Sequence, residues 1–451
     1  MNAKQSDSVS PARRVAFDIL SRVETEQAYA SVLLAALPDS GLSREDRALA
    51  REIVLGVLRW QLSLDNFIER YSERSTHRFD TQVLIALRIG LYQLHHLTRI
   101  PQSAAVNESV NLVKRARTAS AAPLVNAVLR KAARHTTEPA GRGIADPMER
   151  ASVELSHPRW ILERWQSAIG QLETRQLALA NNSAPETAFR VNTLRTSEKK
   201  ALDDLRGEGV ITRASQVCPG AFVVESGPAS VIAQSARRGL IYVQDEASQL
   251  VSILLQPRSG HRVLDLCAAP GSKTSQMAIL AEDQAWIIAC DRHPHRLTTL
   301  GATCERMGIK SVDALALDAT RDLPFVSARI EFDRVLVDAP CSGTGTLRGN
   351  PEIKWRLSLE DITRLAQLQL SLLERAASSV TPGGRLVYST CSIELEENEE
   401  VVGRFIEGTT LFKLIRPDAP ADLITNDAYV RTFPHRDGTD GFFAAVFERV
   451  G

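Results

Sequence analysis

The amino-acid sequence predicts a multidomain chain in which an all-α helical bundle precedes a small α+β subdomain and a doubly wound α/β domain. The chain has 451 residues, more than one hydrophobic core usually serves, so two or three domains are expected. Apolar residues recur at helical spacing up to about Arg134. From Arg262 onward, apolar β-type runs alternate with helical patterns, which is typical of a parallel sheet covered on both faces.

The composition excludes several classes of protein. With 44% hydrophobic and 24% charged residues, the chain is neither disordered nor collagenous. The polar segment 1–8 lacks the apolar core of a signal peptide, and no uncharged apolar run is long enough to span a bilayer. We therefore expect a cytoplasmic protein that works as a monomer and has no membrane partner.

The cysteines favour catalysis over a structural role. Six cysteines are too few for a disulfide scaffold in a chain of this length, and none forms a CxxC pair of the kind that binds zinc. No metal site is expected. His293 and His295 flank a proline, and their position after Asp291 favours a loop over a metal pair.

The formal net charge of zero hides an asymmetry between the two ends of the chain. Residues 1–140 carry 19 Lys and Arg against 14 Asp and Glu. This modest excess is weak support for RNA contact, because surface helices are often charged. The candidate phosphate contacts are Arg13, Arg14, Lys114, Arg115, Arg117, Arg130 and Lys131.

The first two domains are predicted from local patterns. Ser10-Pro11 predicts the start of the first helix, because Ser favours the N-cap and Pro the first helical position. The stretch His135–Met148 is rich in Pro, Gly and Thr and predicts a linker or long loop. Helical segments at 160–169 and 173–181 and then short β-runs at 189–194, 222–225 and 240–243 follow. These patterns predict one domain over 1–140 and a second over 141–240.

The third predicted domain spans 241–451. We expect its ligands to bind at the carboxyl ends of the strands, where doubly wound sheets bind theirs. Its predicted strands are 263–266, 286–290, 314–317, 335–338 and 385–389. Small residues after the first strand let a ligand approach the backbone, and the helix that follows favours anionic groups. The loop lacks the GxGxxG spacing of dinucleotide sites, which favours a smaller nucleoside, although an ordinary tight turn has the same pattern.

Three aspartates and two cysteines occupy successive strand ends. Asp291, Asp318 and Asp338 follow the second, third and fourth strands, where a carboxylate can bind ribose hydroxyls or cap a helix. Cys341 and Cys391 follow the fourth and fifth strands. One such cysteine is usually an inert buried residue, but two at one ligand-binding edge favour thiol chemistry.

These motifs together resemble the RNA 5-methylcytosine methyltransferases. The resemblance rests on Cys267-Ala-Ala-Pro-Gly-Ser-Lys-Thr, Asp338-Ala-Pro-Cys-Ser-Gly and Ser389-Thr-Cys-Ser, in this order and at these intervals. Phe189-Arg-Val-Asn-Thr-Leu, Gln244-Asp-Glu-Ala-Ser and Asp440-Gly-Phe-Phe are also similar to that family. The resemblance covers the chain from about Ala184 and implies a Rossmann-like domain that binds S-adenosyl-L-methionine (SAM).

The N-terminal part carries a second resemblance. Ala105-Val-Asn-Glu-Ser-Val and Val125-Asn-Ala-Val-Leu-Arg-Lys resemble a NusB-like helical RNA-binding domain. This fusion is similar to the RsmB subfamily, which implies methylation of cytosine 967 in 16S ribosomal RNA. Transfer RNA, or less readily DNA, stays open as the substrate, as does an RNA-binding factor with an inactive methyltransferase domain.

The resemblance also implies roles for individual residues. Cys391 would be the nucleophile that adds to carbon 6 of the base, Cys341 would assist release of the carbon 5 proton, and Asp338 would bind the base. DNA cytosine methyltransferases use the Pro-Cys cysteine as nucleophile, which leaves the exchanged roles open. The residues implied to bind SAM are Cys267, Ala268, Ala269, Pro270, Gly271, Ser272, Lys273, Asp291, Asp318 and Asp338.

Two positions of the cofactor loop need comment. Ser272 departs from the family, which usually has a second glycine there, and we expect SAM binding to survive because serine is small. Lys273 would contact the target base or a phosphate, although a lysine at a helix start is nearly as common without such a role.

Overall fold

A computed structural model describes residues 9–37 and 41–451 of the chain. The polar segment 1–8, on which the expectation about signal peptides rests, lies outside these residues. The chain divides into two compact units, Met1–Ala184 with Leu347–Arg356, and Pro185–Thr346 with Leu357–Gly451. Within the described residues, no helix has the length and apolar character that crossing a membrane requires.

The α-helices are, in chain order, α1 Pro11–Thr25, α2 Ala30–Ala35, α3 Arg44–Arg59, α4 Gln61–Ser72, α5 Thr81–His96, α6 Gln102–Arg115, α7 Ala122–Ala133, α8 Pro147–Leu155, α9 Arg159–Ile169, α10 Gln171–Asn181, α11 Glu198–Gly207, α12 Ala229–Arg237, α13 Glu246–Leu255, α14 Ser272–Leu280, α15 Pro294–Met307, α16 Pro324–Ser327, α17 Ile353–Arg356, α18 Leu359–Ala377, α19 Glu399–Glu407 and α20 Pro434–Asp437. Short 3₁₀ turns lie at Thr76–Arg78, Ala119–Ala121, Thr344–Thr346, Leu395–Glu397 and Ala421–Leu423.

The strands are β1 Ala188–Val191, β2 Ile211–Ala214, β3 Ala221–Ser226, β4 Ile241–Val243, β5 Arg262–Asp265, β6 Trp286–Asp291, β7 Val312–Ala316, β8 Phe332–Asp338, β9 Val380–Thr390, β10 Phe412–Leu414, β11 Val430–Thr432 and β12 Phe442–Arg449.

The first unit is a helical bundle, as the apolar spacing predicts. Helix α5 is buried on almost every side, and α1, α3, α4, α6 and α7 each turn an apolar face into the same core. Arg88 of α5 is buried and donates to both oxygens of Asp65, at 2.7 and 2.8 Å. Such a bidentate pair compensates for the burial of both charges.

Two details at the start of this unit differ from expectation. Helix α1 begins at Pro11 as predicted, but the Ser10 hydroxyl does not cap it and instead donates to Glu108 at 2.6 Å. Arg13 is buried, pairs with Glu108 at 3.0 Å and donates to Gln93 at 2.7 Å. Arg13 therefore stabilises the bundle and does not present its guanidinium to an RNA phosphate.

The segment Leu347–Arg356 belongs to the helical unit although it lies far along the chain. Lys354 is fully buried there and donates to the carbonyl of Arg59 at 2.9 Å and to Asn182 at 3.2 Å. Arg356 donates to the carbonyls of Val23 and Ala28, at 2.7 and 2.9 Å. Lys354 and Arg356 thus supply hydrogen-bond donors to backbone carbonyls of the bundle, at the ends of α3 and α1 and in the loop after α1, where carbonyls have no partner within a helix.

The second unit begins with a small antiparallel sheet in the order β2-β3-β1-β4, which α11 and α12 accompany. Its core joins Phe189, Leu205, Ile232 and Ile241. The α+β subdomain predicted from sequence is thus confirmed. Strand β2 was not predicted, because Ile211-Thr-Arg-Ala is partly exposed and lacks an apolar alternation.

The larger sheet has the order β10-β12-β9-β8-β5-β6-β7, and β11 pairs with β12. Strands β5 to β9 are parallel and match the five predicted strands, which confirms the doubly wound domain. Strands β10, β11 and β12 pair antiparallel, so the sheet is mixed. The apolar run of β12 is buried, and such a run gives no sign of strand direction.

Candidate active site

A cavity of about 390 Å³ opens at the carboxyl edge of the larger sheet, where the loops after β5 to β9 meet. Its size falls in the range of small-molecule sites. Each predicted strand end contributes to its lining: Cys267, Asp291, Asp318, Asp338, Cys341 and Cys391. The structure therefore brings the predicted aspartates and both predicted cysteines to one site.

The segment 267–273 forms the loop between β5 and α14. Gly271 has a φ of +99°, and a Cβ there would lie 3.0 Å from the Leu300 side chain, so the position requires glycine. Ser272 is the first residue of α14 and has ordinary helical backbone, so this position accepts a serine. The backbone of the loop is thus compatible with the one departure from the family motif.

Asp265, the last residue of β5, lies directly behind this loop. Burial raises the pKa of its carboxyl to about 7, and the nearby Asp338 adds to the effect, while a hydrogen bond from Thr274 at 2.7 Å opposes it. Its Oδ1 atom is buried without a hydrogen bond of good geometry among the described residues, although the Cys267 amide lies near enough to the carboxyl to lower its pKa slightly. The sequence did not single out Asp265 as a functional residue.

Asp291 and Asp318 are held in different ways on the far side of the cavity. Asp291 accepts a hydrogen bond from the His293 amide at 2.8 Å and pairs with Arg296 at 3.2 Å. Asp318 accepts from the Thr320 hydroxyl at 2.6 Å, and this hydrogen bond lowers the pKa of its carboxyl. Both carboxylates are fixed before any ligand arrives.

Lys273 and Asp338 form an ion pair between the cofactor loop and the end of β8, with a nitrogen–oxygen distance of 2.7 Å. Burial alone would lower the pKa of the Lys273 ammonium, but the charge and hydrogen bond of Asp338 outweigh it and raise that pKa. Ser389 donates to the other oxygen of Asp338 at 2.8 Å. Lys273 therefore has a carboxylate partner in this structure.

The two cysteines face each other. The Sγ atoms of Cys341 and Cys391 lie 3.2 Å apart, within thiol hydrogen-bond distance. That hydrogen bond, together with burial, raises the pKa of Cys341 well above its ordinary value. The Cys341 thiol therefore loses its proton less readily than an ordinary cysteine.

Two arginines at the site were missed by the sequence reasoning. Arg296 lines the cavity and donates to the carbonyl of Ala269 at 2.9 Å. In the sequence it is marked only by its position, about one helical turn after the strand-end residue Asp291. Arg190, quoted within a motif but given no role, is buried and donates to the carbonyl of Ser272 and to Ser275, at 3.0 and 2.9 Å.

The chemistry of these groups fits SAM. The carboxylates of Asp291 and Asp318 offer acceptors for ribose hydroxyls and an adenine amino group. The strand-end carboxylates that line the cavity favour a cationic ligand, and Arg296 favours a carboxylate tail. A nucleoside that carries both a sulfonium and an amino acid matches this arrangement.

Comparisons with known proteins agree with this geometry. Residues 252–448 match the family of 16S rRNA methyltransferase RsmB/F. Residues 10–134 match the NusB family, and residues 157–231 match the ferredoxin-like domain of RsmF/B-like methyltransferases. The predicted NusB-like bundle and methyltransferase domain are therefore confirmed.

Whole-chain relatives cover nearly all of the sequence. The probable ribosomal RNA small subunit methyltransferase B of Bacillus subtilis is 32% identical, over 97% of this chain and 99% of its own length. The protein of the same description from Synechocystis is 35% identical, over 97% and 99%. The crystal structure of PH0851 is 28% identical and superposes with a TM-score of 0.82 over 98% of this chain and 100% of its own. The chain, an RNA methyltransferase that uses SAM, belongs to the ribosomal RNA small subunit methyltransferase B family.

Proposed function

We propose that the chain transfers a methyl group from SAM to carbon 5 of a cytosine in 16S ribosomal RNA, with position 967 as the target. The observation that carries this proposal is the pair of facing thiols, 3.2 Å apart, at the rim of the cofactor cavity. The names of the relatives support ribosomal RNA of the small subunit as the substrate.

Carbon 5 of cytosine is a poor nucleophile, so the ring must first gain electron density. In our proposal the Cys391 thiolate adds to carbon 6, and the electron pair of the 5,6 double bond becomes available at carbon 5. Asp338 accepts a hydrogen bond from the amino group of the base, and from N3 once N3 is protonated as the thiolate adds, and the Lys273 charge beside it stabilises the electron density that develops. SAM, when bound, supplies the electrophilic methyl group that carbon 5 takes up.

The reaction ends when the carbon 5 proton leaves and the Cys391 thiolate is expelled. We assign assistance in this step to Cys341, directly or through a water molecule. Its pKa is raised first of all by the hydrogen bond to Cys391. Once the Cys391 sulfur is bonded to the base, that hydrogen bond weakens and the pKa of Cys341 falls, so its thiol gives up its proton to water and the resulting thiolate takes up the carbon 5 proton.

The base must leave its stack before a thiolate can reach carbon 6, so the target cytosine is unpaired or flipped out. We propose that the domain at 1–140 positions the RNA through phosphate contacts, that 141–240 forms the intermediate domain, and that 241–451 carries out catalysis. The NusB family match at 10–134 supports the first assignment. We further propose that the enzyme works as a monomer in the cytoplasm.

The test incubates the protein with labelled SAM and protein-free 16S rRNA, with transfer RNA as the rival substrate. We expect 5-methylcytosine at one site with the natural chain, no product with Cys391→Ala, and a covalent RNA adduct that persists with Cys341→Ala. Methylation by Cys391→Ala would overturn the choice of nucleophile. Labelling of transfer RNA alone would overturn the substrate, and absence of SAM binding would favour an inactive RNA-binding factor.

A further inference from the structure

One buried carboxylate, that of Glu397, joins the two cysteine loops. Its Oε2 atom accepts hydrogen bonds from the hydroxyls of Ser342 and Ser392, the latter at 2.5 Å. Its Oε1 atom accepts from the Ser342 amide at 2.8 Å and from the Gln369 side chain at 3.0 Å. Four donors therefore converge on one side chain, two on each oxygen.

The donors are placed next to the reacting groups. Ser342 directly follows Cys341, and Ser392 directly follows Cys391. The serine hydroxyls are 3.1 Å apart, so the two Cys-Ser pairs lie side by side with sulfur facing sulfur and hydroxyl facing hydroxyl. Glu397 accepts hydrogen bonds from both hydroxyls and so joins the two Cys-Ser pairs.

Glu397 lies outside the reaction space. Among the described residues that line the cavity, both cysteines are present and Glu397 is absent. Burial raises the pKa of its carboxyl, and the hydrogen bonds from Ser342, Ser392 and Gln369 oppose that rise. A buried carboxyl with all its acceptor sites filled is suited to hold its neighbours in place rather than to exchange protons with a substrate.

We propose that Glu397 is a positioning residue for methyl transfer, which holds Cys341 and Cys391 at the separation that the two-thiol reaction requires. This inference rests on the proposed roles of the two cysteines. A misplacement of about 1 Å at reacting atoms lowers a rate by about 100-fold, so loss of the shared carboxylate should act on catalysis and spare cofactor binding.

The test compares Glu397→Ala and Glu397→Gln with the same substitutions at Glu400, which is exposed on the first turn of α19. Glutamine keeps the length of the side chain and an acceptor for the Ser342 amide, and the serine hydroxyls can turn to accept from its amide nitrogen. We expect Glu397→Ala to lower kcat by about 100-fold and Glu397→Gln to restore it to within about 10-fold of the natural chain. SAM affinity should stay near that of the Glu400 variants, whereas the Tm of Glu397→Ala should fall, because four buried donors lose their acceptor.

A second readout follows the thiols themselves. RNA with 5-fluorocytosine at the target position traps the covalent Cys391–RNA adduct, because fluorine cannot leave carbon 5 as a cation. In Glu397→Ala the rate of trapping should fall in parallel with kcat. If Glu397→Ala does not fold, Ser392→Ala removes one donor and should lower kcat by about 10-fold with unchanged SAM affinity.

Three results would overturn the inference. The first is a kcat for Glu397→Ala within about threefold of the natural chain. The second is a parallel loss of SAM affinity and kcat, which a merely structural residue would produce. The third is equal loss in Glu397→Gln and Glu397→Ala with an intact fold, which would point to the charge rather than the position. Activity of Cys391→Ala would instead refute the proposed function, independently of Glu397.

Discussion

The sulfur atoms of Cys341 and Cys391 lie 3.2 Å apart because the parallel strands β8 and β9 are neighbours and their loops turn towards each other. Parallel pairing sets Asp338 opposite Ser389, so the loops after β8 and β9 begin at the same height along the sheet. This relationship has chemical consequences beyond the methyl transfer.

Oxidation should join the two thiols reversibly. A disulfide needs the sulfurs to approach from 3.2 Å to about 2.05 Å, a small movement for two loop side chains. We expect diamide, which becomes a hydrazine as it accepts two electrons and two protons, to abolish activity and dithiothreitol to restore it. Intact mass should show the loss of two hydrogens, and peptide mapping should link Cys341 to Cys391. Equal inactivation with no such link would contradict the prediction.

The stability of the catalytic unit should depend on pH through Asp265. Its pKa in the folded chain is about 7, above the unfolded value of about 3.9, so the folded state disfavours the ionised form. The folded state therefore loses stability as pH rises from about 4 to about 7, and the full penalty persists above that range. Asp265→Asn removes the penalty.

The measurement is Tm without SAM between pH 5 and 8. The Tm of Asp265→Asn minus that of the natural chain should grow with pH, whereas Asp422→Asn, at an exposed position, should show a constant difference. Parallel curves for Asp265→Asn and the natural chain would show that the carboxyl titrates normally.

Gly345 should tolerate no side chain. A Cβ there would lie 1.9 Å from the carbonyl oxygen of Gly441 and 2.9 Å from that of Cys391, and the Gly345 amide donates to the Cys391 carbonyl at 3.0 Å. Gly345→Ala should cost about 1–3 kcal/mol of stability and displace the nucleophile loop. Gly403→Ala is the matched control, since nothing lies within 4 Å of its added carbon. We expect the first variant alone to lose adduct formation; equal activity of the two would refute the close approach.

Arg190 should control cofactor affinity from outside the cavity. It stacks on Tyr242 at 4.3 Å and holds the start of α14 through the Ser272 carbonyl, and burial lowers the pKa of its guanidinium to about 9. Lysine cannot reach these partners together, so Arg190→Lys should raise the Kd for SAM by about 10-fold.

The control for that prediction is Arg213→Lys, in the same small sheet but partly exposed and paired with Glu186. Calorimetry should give Arg213→Lys the same Kd for SAM as the natural chain. An Arg190→Lys variant with the Kd of the natural chain would mean that the cofactor loop holds its shape without this contact.

The sequence predicted the elements that local chemistry determines. The five parallel strands were found because strands buried on both faces are apolar throughout, and the strand-end positions of Asp338, Cys341 and Cys391 follow from the strands themselves. Their convergence on one cavity was expected, since the carboxyl ends of parallel strands meet at one edge.

Features that depend on long-range contacts were not predictable. The hydrogen bond of Glu397 with Ser342 spans 55 residues, and that of Arg190 with Ser275 spans 85. In the sequence, Glu397 is one of several glutamates before α19, and nothing distinguishes it from Glu400. Arg13 was misjudged for the same reason, because an arginine on a helix is usually exposed.

The ten residues from Leu347 to Arg356 belong to the N-terminal structural unit although they lie within the C-terminal half of the sequence. A protease or a cloning boundary at residue 184 would separate the helical bundle from the donors that Lys354 and Arg356 supply to it. The bundle released in this way would expose backbone carbonyls that the intact chain never presents to water. Recombination that exchanged only the front half between relatives would pair each bundle with a segment 347–356 from another chain.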